Sequence, residues 1–394
     1  MAKLKIKKSG WLTYAVFITL MISTIYYTNN FRFGGGVDSF IPALIMWPVA
    51  TLIAVFSYFN YYVSRDGLLD CSAILSVVFL FSTLMIFSGS IIGLASNAVN
   101  NIIWWSLMMV FFRYTDQNGI EKKYISAAML TIPVLAVVFL QLVNSFVTDS
   151  SIKTLNPIFY SLYLLPFALL NEKKTWQYCS IGIIFVTILI SNKRTALIAF
   201  ALVLVFYVIR NQRESSRTVS RMFRNLLLVA VLFIGIYFIA NFVLASYSMI
   251  DWRERLLSLG TSGGGGRIGR WLEFLEDTKN SSLFEWVFGH GFVYPHYHND
   301  LLQVYYNCGI PGLLAYVTMC VLLILEYFKM ARKKYKYTTA YGASLIIFFF
   351  NSMVGEVIIV HTWMLEMGAF WGLVFGDFRR AQRQEAERIM KEYD

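Results

Sequence analysis

The sequence predicts an all-helical, polytopic membrane protein with about twelve transmembrane helices and one large extracytoplasmic loop. Three observations carry that expectation. Of the 394 residues, 57% are hydrophobic and only 14% charged, against roughly 45–50% and about 25% in an ordinary soluble domain. The mean hydropathy of +0.58 exceeds what one buried core explains, because a soluble protein still needs a polar surface. Lys and Arg, finally, cluster between apolar runs with a strong bias to one side. Twelve spans of about 20 residues would use roughly 240 residues, so residues 1–394 read as a single integral membrane domain.

Taken in order, the apolar runs bounded by charges or turn residues are Trp11–Tyr27, Phe40–Val63, Leu69–Ala95, Asn101–Phe112, Tyr124–Val147, Pro157–Leu170, Trp176–Ile190, Arg194–Ile209, Asn225–Ser246, Leu301–Phe328, Thr338–Val360 and Thr362–Gly376. The first follows Lys3, Lys5, Lys7 and Lys8 and has no small-x-small cleavage site after it, so it reads as a retained signal anchor. With the amino terminus in the cytoplasm and sides alternating, 25 of the 34 Lys and Arg fall on the cytoplasmic side and 9 on the other. That asymmetry favours an even number of spans, both termini inside and residues 377–394 as a cytoplasmic tail. The net charge of +11 therefore reflects orientation in a membrane, and no nucleic-acid partner is expected. Cys71, Cys179, Cys308 and Cys320 have no CxxC spacing, which argues against a disulfide framework or a zinc ribbon.

One connection stands apart, the outer loop over 247–300, far longer than the usual connection in a helical bundle. Its aromatic content, Trp252, Trp271, Phe274, Phe284 and Trp286, is not that of a disordered linker. Apolar residues recur at helical spacing from Arg267 to Thr278, the pattern of a short helix lying on a membrane surface.

Chemistry concentrates on this outer side. Arg194 lies in the turn Ser191-Asn192-Lys193-Arg194-Thr195, and Arg253, Arg255, Arg267 and Arg270 lie in the loop. Such arginines either snorkel to lipid headgroups or bind phosphate oxygens bidentately. All four histidines, His290, His296, His298 and His361, fall on the same side, and His is the side chain best matched to proton transfer near neutral pH. His296-x-His298 with Asp300 leaves a metal reading open, while loop backbone alone satisfies His290 and His296 in the plainer one. Glu356 and Glu366 sit inside the last two runs, either as transport groups or as lining of a catalytic cavity beside His361. Gly263 to Gly266 lacks nucleotide-loop spacing and reads as a hinge or a backbone nest for phosphate.

His298-Asn299, then nine residues, then Gly309 and Gly312, fits H-[NSQ]-x9-G-x-x-G. Upstream, Gly266-Arg267-Ile268-Gly269-Arg270-Trp271 is similar to an SGR-x3-W element, Gly289-His290-Gly291 to G-x-G, and Ser191 to Ala196 to an S-x-S-R-T-A turn with Lys193 at the second serine. In this combination and order the chain resembles the O-antigen ligase and O-antigen polymerase superfamily, which joins lipid-linked glycans on the outer face of the bacterial inner membrane. The resemblance implies a GT-C-like fold, an active site facing the periplasm, and a metal-independent glycosyltransferase without cofactor. It implies His298 as the base near the acceptor hydroxyl, with Arg194 and Arg267 on the donor pyrophosphate. Arg270, Asn299, Glu356 and His361 stand beside them as substrate-binding candidates. Asn299 and Gly309 also have plain readings, as a helix cap and as close helix packing. The implied partners are an undecaprenyl-diphosphate-linked oligosaccharide, membrane lipids and a chain-length regulator. The leading expectation is a polymerase, which transfers glycan to a lipid-linked repeat unit. The alternatives are a ligase acting on lipid A-core and, from another class, a transporter or flippase of lipid-linked glycan.

Overall fold

The computed structural model describes residues 111–120, 160–214, 267–290 and 297–393 with Trp104 and Met108, except positions 192, 356, 359 and 360. Every regular element among them is helical. Helix α1 runs through 111–118, with Trp104 and Met108 helical ahead of it. A 3-10 helix Tyr160–Leu164 leads into α2 (Leu165–Ala168), and α3 (Lys174–Ser191) turns tightly into α4 (Arg194–Glu214). Then follow α5 (Arg267–Lys279), α6 (Leu283–Phe288), α7 (Asp300–Arg332), α8 (Thr338–Val354) and α9 (His361–Tyr393). The runs expected at 11–27, 40–63, 69–95, 124–147 and 225–246 lie outside the described residues.

Helices α3, α4, α7, α8 and α9 each begin within two residues of an expected run. Elsewhere the local chemistry redraws the expectation. The run at 157–170 is a 3-10 turn and one α turn, because Pro166 lacks an N–H and its ring crowds the preceding turn, so it is tolerated only where α2 starts. Helix α8 stops at Val354, and Gly355 is extended. The tail expected at 377–394 continues α9 as helix: no Gly or Pro follows Gly376, and Arg388 pairs with Glu385 and Glu392 at helical spacing.

Helix α7 alone among the described helices is long and apolar enough to cross a membrane, by length and composition. It is broken at Gly309 (φ 63°, ψ −156°), two residues before Pro311. The part after the break, 310–332, is about 34 Å long at ~1.5 Å per residue, against about 30 Å for a bilayer's hydrocarbon core.

The core gathers where α9 meets its neighbours, around Trp371, Phe370, Phe167 and Phe348, all buried. Phe167 meets Phe370 edge-on at 5.0 Å, and the Trp371 indole donates to the Ser344 hydroxyl at 3.1 Å. Gly368, Gly372 and Gly376 form a small-residue stripe on α9. A Cβ at Gly368 would strike the Trp104 carbonyl, one at Gly372 the Met108 carbonyl, and one at Gly376 the Phe112 carbonyl and the Thr115 hydroxyl. Both helices advance four residues at each contact, so α1 and α9 run in the same direction with their backbones touching.

Basic residues mark one end of this bundle. Lys174 donates to Tyr207 at 3.2 Å, Lys329 lies over the Phe378 ring, and Arg383 reaches Asp116 at 3.4 Å. The backbone contact of α1 with α9 generates a direct test. Gly372→Leu should lower the thermal unfolding midpoint of purified protein by an amount equivalent to about 1–3 kcal/mol or more. Gly182→Ala, where none of the described residues lies within 4 Å of the new Cβ, should leave the midpoint unchanged or slightly raised.

Candidate functional site

The end of the bundle opposite those basic residues is assembled by the first three residues of α7 and the loop ahead of it. Asn299 caps α7: its Oδ1 accepts from the backbone N–H groups of Leu301 (3.0 Å) and Leu302 (3.3 Å), which the helix itself leaves unpaired. Its Nδ2 donates to the Met353 carbonyl at the end of α8, at 3.4 Å. The capping role expected of Asn299 is therefore observed, and its amide oxygen is occupied by the helix.

Asp300 is fully buried. One carboxylate oxygen accepts from the Ser352 hydroxyl at 2.5 Å and the Tyr316 hydroxyl at 3.3 Å; the other accepts from the Ile358 N–H at 3.1 Å. A single carboxylate thus joins the start of α7, the end of α8 and the strap leading to α9. A carboxylate so engaged is poorly placed to serve as a metal ligand beside His298. Among the described residues no group of three metal-binding side chains occurs; His296 lies outside them.

His298 stands exposed between this anchored pair and the loop, with φ at 52°. That left-handed conformation costs an L-residue about 1–2 kcal/mol, so both neighbours must hold it. Asn299 does so from one side. From the other, Tyr297 is fully buried, and its hydroxyl donates to Asp277 Oδ2 on α5 at 2.8 Å. Its ring meets Phe274 of α5 and Tyr306 of α7 edge-on, at 5.2 and 5.1 Å, and its N–H donates to Gln303 Oε1 at 3.1 Å. Burial first, and then the bond to Asp277, push the Tyr297 phenol far above its ordinary range, so it remains a donor at any physiological pH.

The break in α7 is where α6 docks. A Cβ at Gly309 would overlap the Val287 carbonyl, and one at Gly289 (φ 83°) the Asn307 carbonyl, so each glycine admits the other strand of backbone. Pro311 brings no N–H for the Asn307 carbonyl, while the Tyr306 carbonyl accepts from the His290 N–H at 2.7 Å. The His290 ring stacks on Tyr306 at 4.2 Å and shares a hydrogen bond with the Ser281 hydroxyl at 2.8 Å. His290 is thus held by a stack and a side chain as well as by backbone. Gly309, read as close packing, proves to be a helix break that receives another helix's end.

The remaining expected residues divide by position. Arg267 opens α5 and is half-buried, whereas Arg270 is exposed and paired with Glu273 at 2.8 Å. Arg194 and His361 are the first residues of α4 and α9, and their side chains lie outside the described set, as do Glu356, Arg253, Arg255 and Gly263 to Gly266. Glu366 is buried in α9, and neither carboxyl oxygen has a hydrogen-bond partner among the described residues.

Helix direction brings several of these to one end. Ile358, bonded to Asp300, lies three residues before His361. Gly342 of α8 lies against the Phe206 ring of α4. Phe206 also meets the Tyr327 ring near the end of α7, and Ala196, Ala199, Phe200 and Val203 ahead of it are buried in the same core, so α4 runs back along the bundle antiparallel to α8. Arg194 lies twelve residues before Phe206 and Val354 twelve beyond Gly342, about 18 Å along each helix, so the start of α4 is level with the end of α8. The amino-terminal ends of α4, α7 and α9 therefore share one end of the bundle, and each contributes partial positive charge there.

Sequence reasoning missed Tyr297, Tyr316 and Ser352, and considered Asp300 only as a ligand. A signal was present: Asp300, Gln303 and Asn307 recur at helical spacing inside an apolar run, the mark of a polar stripe that faces protein. Compared with known proteins, the chain matches no protein-family model and no curated protein.

The Asp300 arrangement yields a second test. Asp300→Ala leaves the buried Ile358 N–H and the Ser352 hydroxyl without their acceptor, while Tyr316 keeps Ser352 Oγ at 3.1 Å, and should destabilise the purified protein by about 2–4 kcal/mol in thermal or denaturant unfolding. Asp300→Asn, which keeps an acceptor for Ile358 and a polar group toward the two hydroxyls, should cost less than half as much.

Proposed function

We propose that this chain is a multi-pass membrane glycosyltransferase of the O-antigen polymerase and ligase type, acting on undecaprenyl-diphosphate-linked glycan at the outer face of the bacterial inner membrane. The observation that carries the reading is His298: an exposed histidine in a strained backbone conformation, clamped on both sides, at the entry of the one described helix apolar enough to span. Strain held in place by this much structure is characteristic of functional positions.

Two further features support it. Three helix amino termini meet at the same end as His298, a field suited to a pyrophosphate. The loop helices α5 and α6 expose Ile268, Leu272, Leu275, Leu283, Phe284 and Trp286, an apolar surface of the kind that rests on a bilayer. In this reading the other expected spans complete the bundle to about twelve.

The chemistry follows from the residues. An acceptor hydroxyl attacks the anomeric carbon of the donor; the new C–O bond forms as the bond to the diphosphate oxygen breaks. His298 takes the hydroxyl proton, and undecaprenyl diphosphate leaves with the electron pair. Arg194 and Arg267 hold the diphosphate, where fixed guanidinium charge stabilises the growing anion without a metal. Polymerase is the first reading and ligase the second. A deletion strain separates them, since loss of a polymerase leaves one repeat unit on core and loss of a ligase leaves bare core. Glu366, buried with both oxygens unpartnered among the described residues, is the one observation that favours a transporter, and proton-dependent uptake into vesicles without glycan transfer would establish that instead.

His298→Ala should reduce transfer by roughly 10²–10⁴-fold, read as loss of full-length surface glycan at normal expression, while His296→Ala does much less. Equal effects of the two would remove His298 from catalysis. Arg267→Lys should also fail substantially, because a point charge does not reproduce a bidentate phosphate contact; full glycan assembly in that strain would eliminate the anion clamp.

A further inference from the structure

Helix α5 carries Arg267 at its start, yet only Phe274 and Thr278 of its thirteen residues are buried. Its other apolar residues, Ile268, Trp271, Leu272 and Leu275, are exposed. Among the described residues, its buried contacts with α7 and Tyr297 thus gather in one turn near its far end, while Arg267 at its start is half-buried. Phe274 packs edge-on against Tyr297 at 5.2 Å and against Tyr305 of α7 at 6.1 Å. Asp277, in the same turn, accepts the Tyr297 hydroxyl at 2.8 Å. Tyr297 is the residue before His298, and is itself fixed to α7 by Gln303 and Tyr306. The residue that holds His298 in its left-handed conformation and the residue that moors α5 are thus the same. Asp277 lies ten residues along α5 from Arg267, about 15 Å at ~1.5 Å per residue. At that lever length, a small tilt about the mooring displaces Arg267 by ångströms.

We propose that the Tyr297–Asp277 hydrogen bond is a positioning latch, which sets the arginine-bearing helix α5 and His298 in fixed register. It rests on the functional reading above: Tyr297 touches no reacting group, and acts by aligning the donor clamp with the base. Misalignment of about 1 Å can cost as much as 10²-fold in rate, whereas Arg267 itself is retained and donor affinity depends on it.

The test uses full-length protein in lipid nanodiscs, with lipid-linked glycan extracted from the deletion strain as substrate. Tyr297→Phe keeps the ring and loses only the hydroxyl. It should lower the turnover rate about 10–100-fold and change the donor KM by less than about threefold. Asp277→Ala should match it, the double variant should be no slower than either single one, and Asp277→Asn, which still accepts the phenol, should stay within about threefold of the native rate. Hydrogen exchange of the amides over 267–279 should quicken by about tenfold or more in Tyr297→Phe, with α8 and α9 unaffected. Native exchange and native turnover in Tyr297→Phe would overturn the latch. Quickened exchange with native turnover, in a background where His298→Ala is inactive, would overturn the positioning role while leaving the functional reading intact. Native turnover in His298→Ala would overturn both.

Discussion

The carboxylate of Asp300 is the interaction on which the His298 end of the molecule depends. It sits one residue beyond the cap of α7, with no exposure to solvent, and takes hydrogen bonds from α7, from α8 and from the strap that leads into α9. A buried carboxyl group is tolerable only when its oxygens are supplied in this way. Once supplied, it fixes three chain segments against one another. The cap at Asn299 and its contact with the end of α8 sit beside that anchor, and together with Tyr297 on the other side they hold the conformation of His298.

The bundle is polar in a second sense. One end collects cations that engage neighbouring aromatic rings, hydroxyls and carboxylates, as Lys174, Lys329 and Arg383 do. The opposite end has few side-chain cations among the described residues, and its positive character comes instead from helix starts. Fixed dipoles and a handful of guanidinium groups discriminate by geometry in a way that a crowd of lysines cannot. This division suits the proposed handling of a bound anion at one surface.

Much of the helical framework was legible in the sequence because its signals are local. Apolar runs ending in charges located α3, α4 and the start of α7, and the spacing of Ile268, Leu272 and Leu275 located α5. The Asn299 cap was legible for the same reason, a side chain serving its own helix. What escaped depended on partners far along the chain. Nothing near Gly372 announces that Met108 will lie against it, and nothing near Tyr297 names Asp277 as its acceptor. Pro166 did carry a local warning, and a helix was nevertheless expected through it. That α9 continues as helix through 377–393 was outside what the apolar run could say: a change from apolar to charged residues marks where a helix leaves its neighbours, which is a different event from where it stops.

The mutual fit of Gly289 and Gly309 bears on how this chain can be cut and recombined. Each glycine exists to admit the other's backbone, and His290 supplies the N–H that Tyr306 would otherwise lack. The segment 267–290 and the helix after it are therefore not separable cassettes. Loop exchange between two such proteins would bring together halves of a joint made for different counterparts. The transferable module runs from Arg267 through Arg332, and a chimera with its junction at residue 300 would break the joint it was meant to preserve.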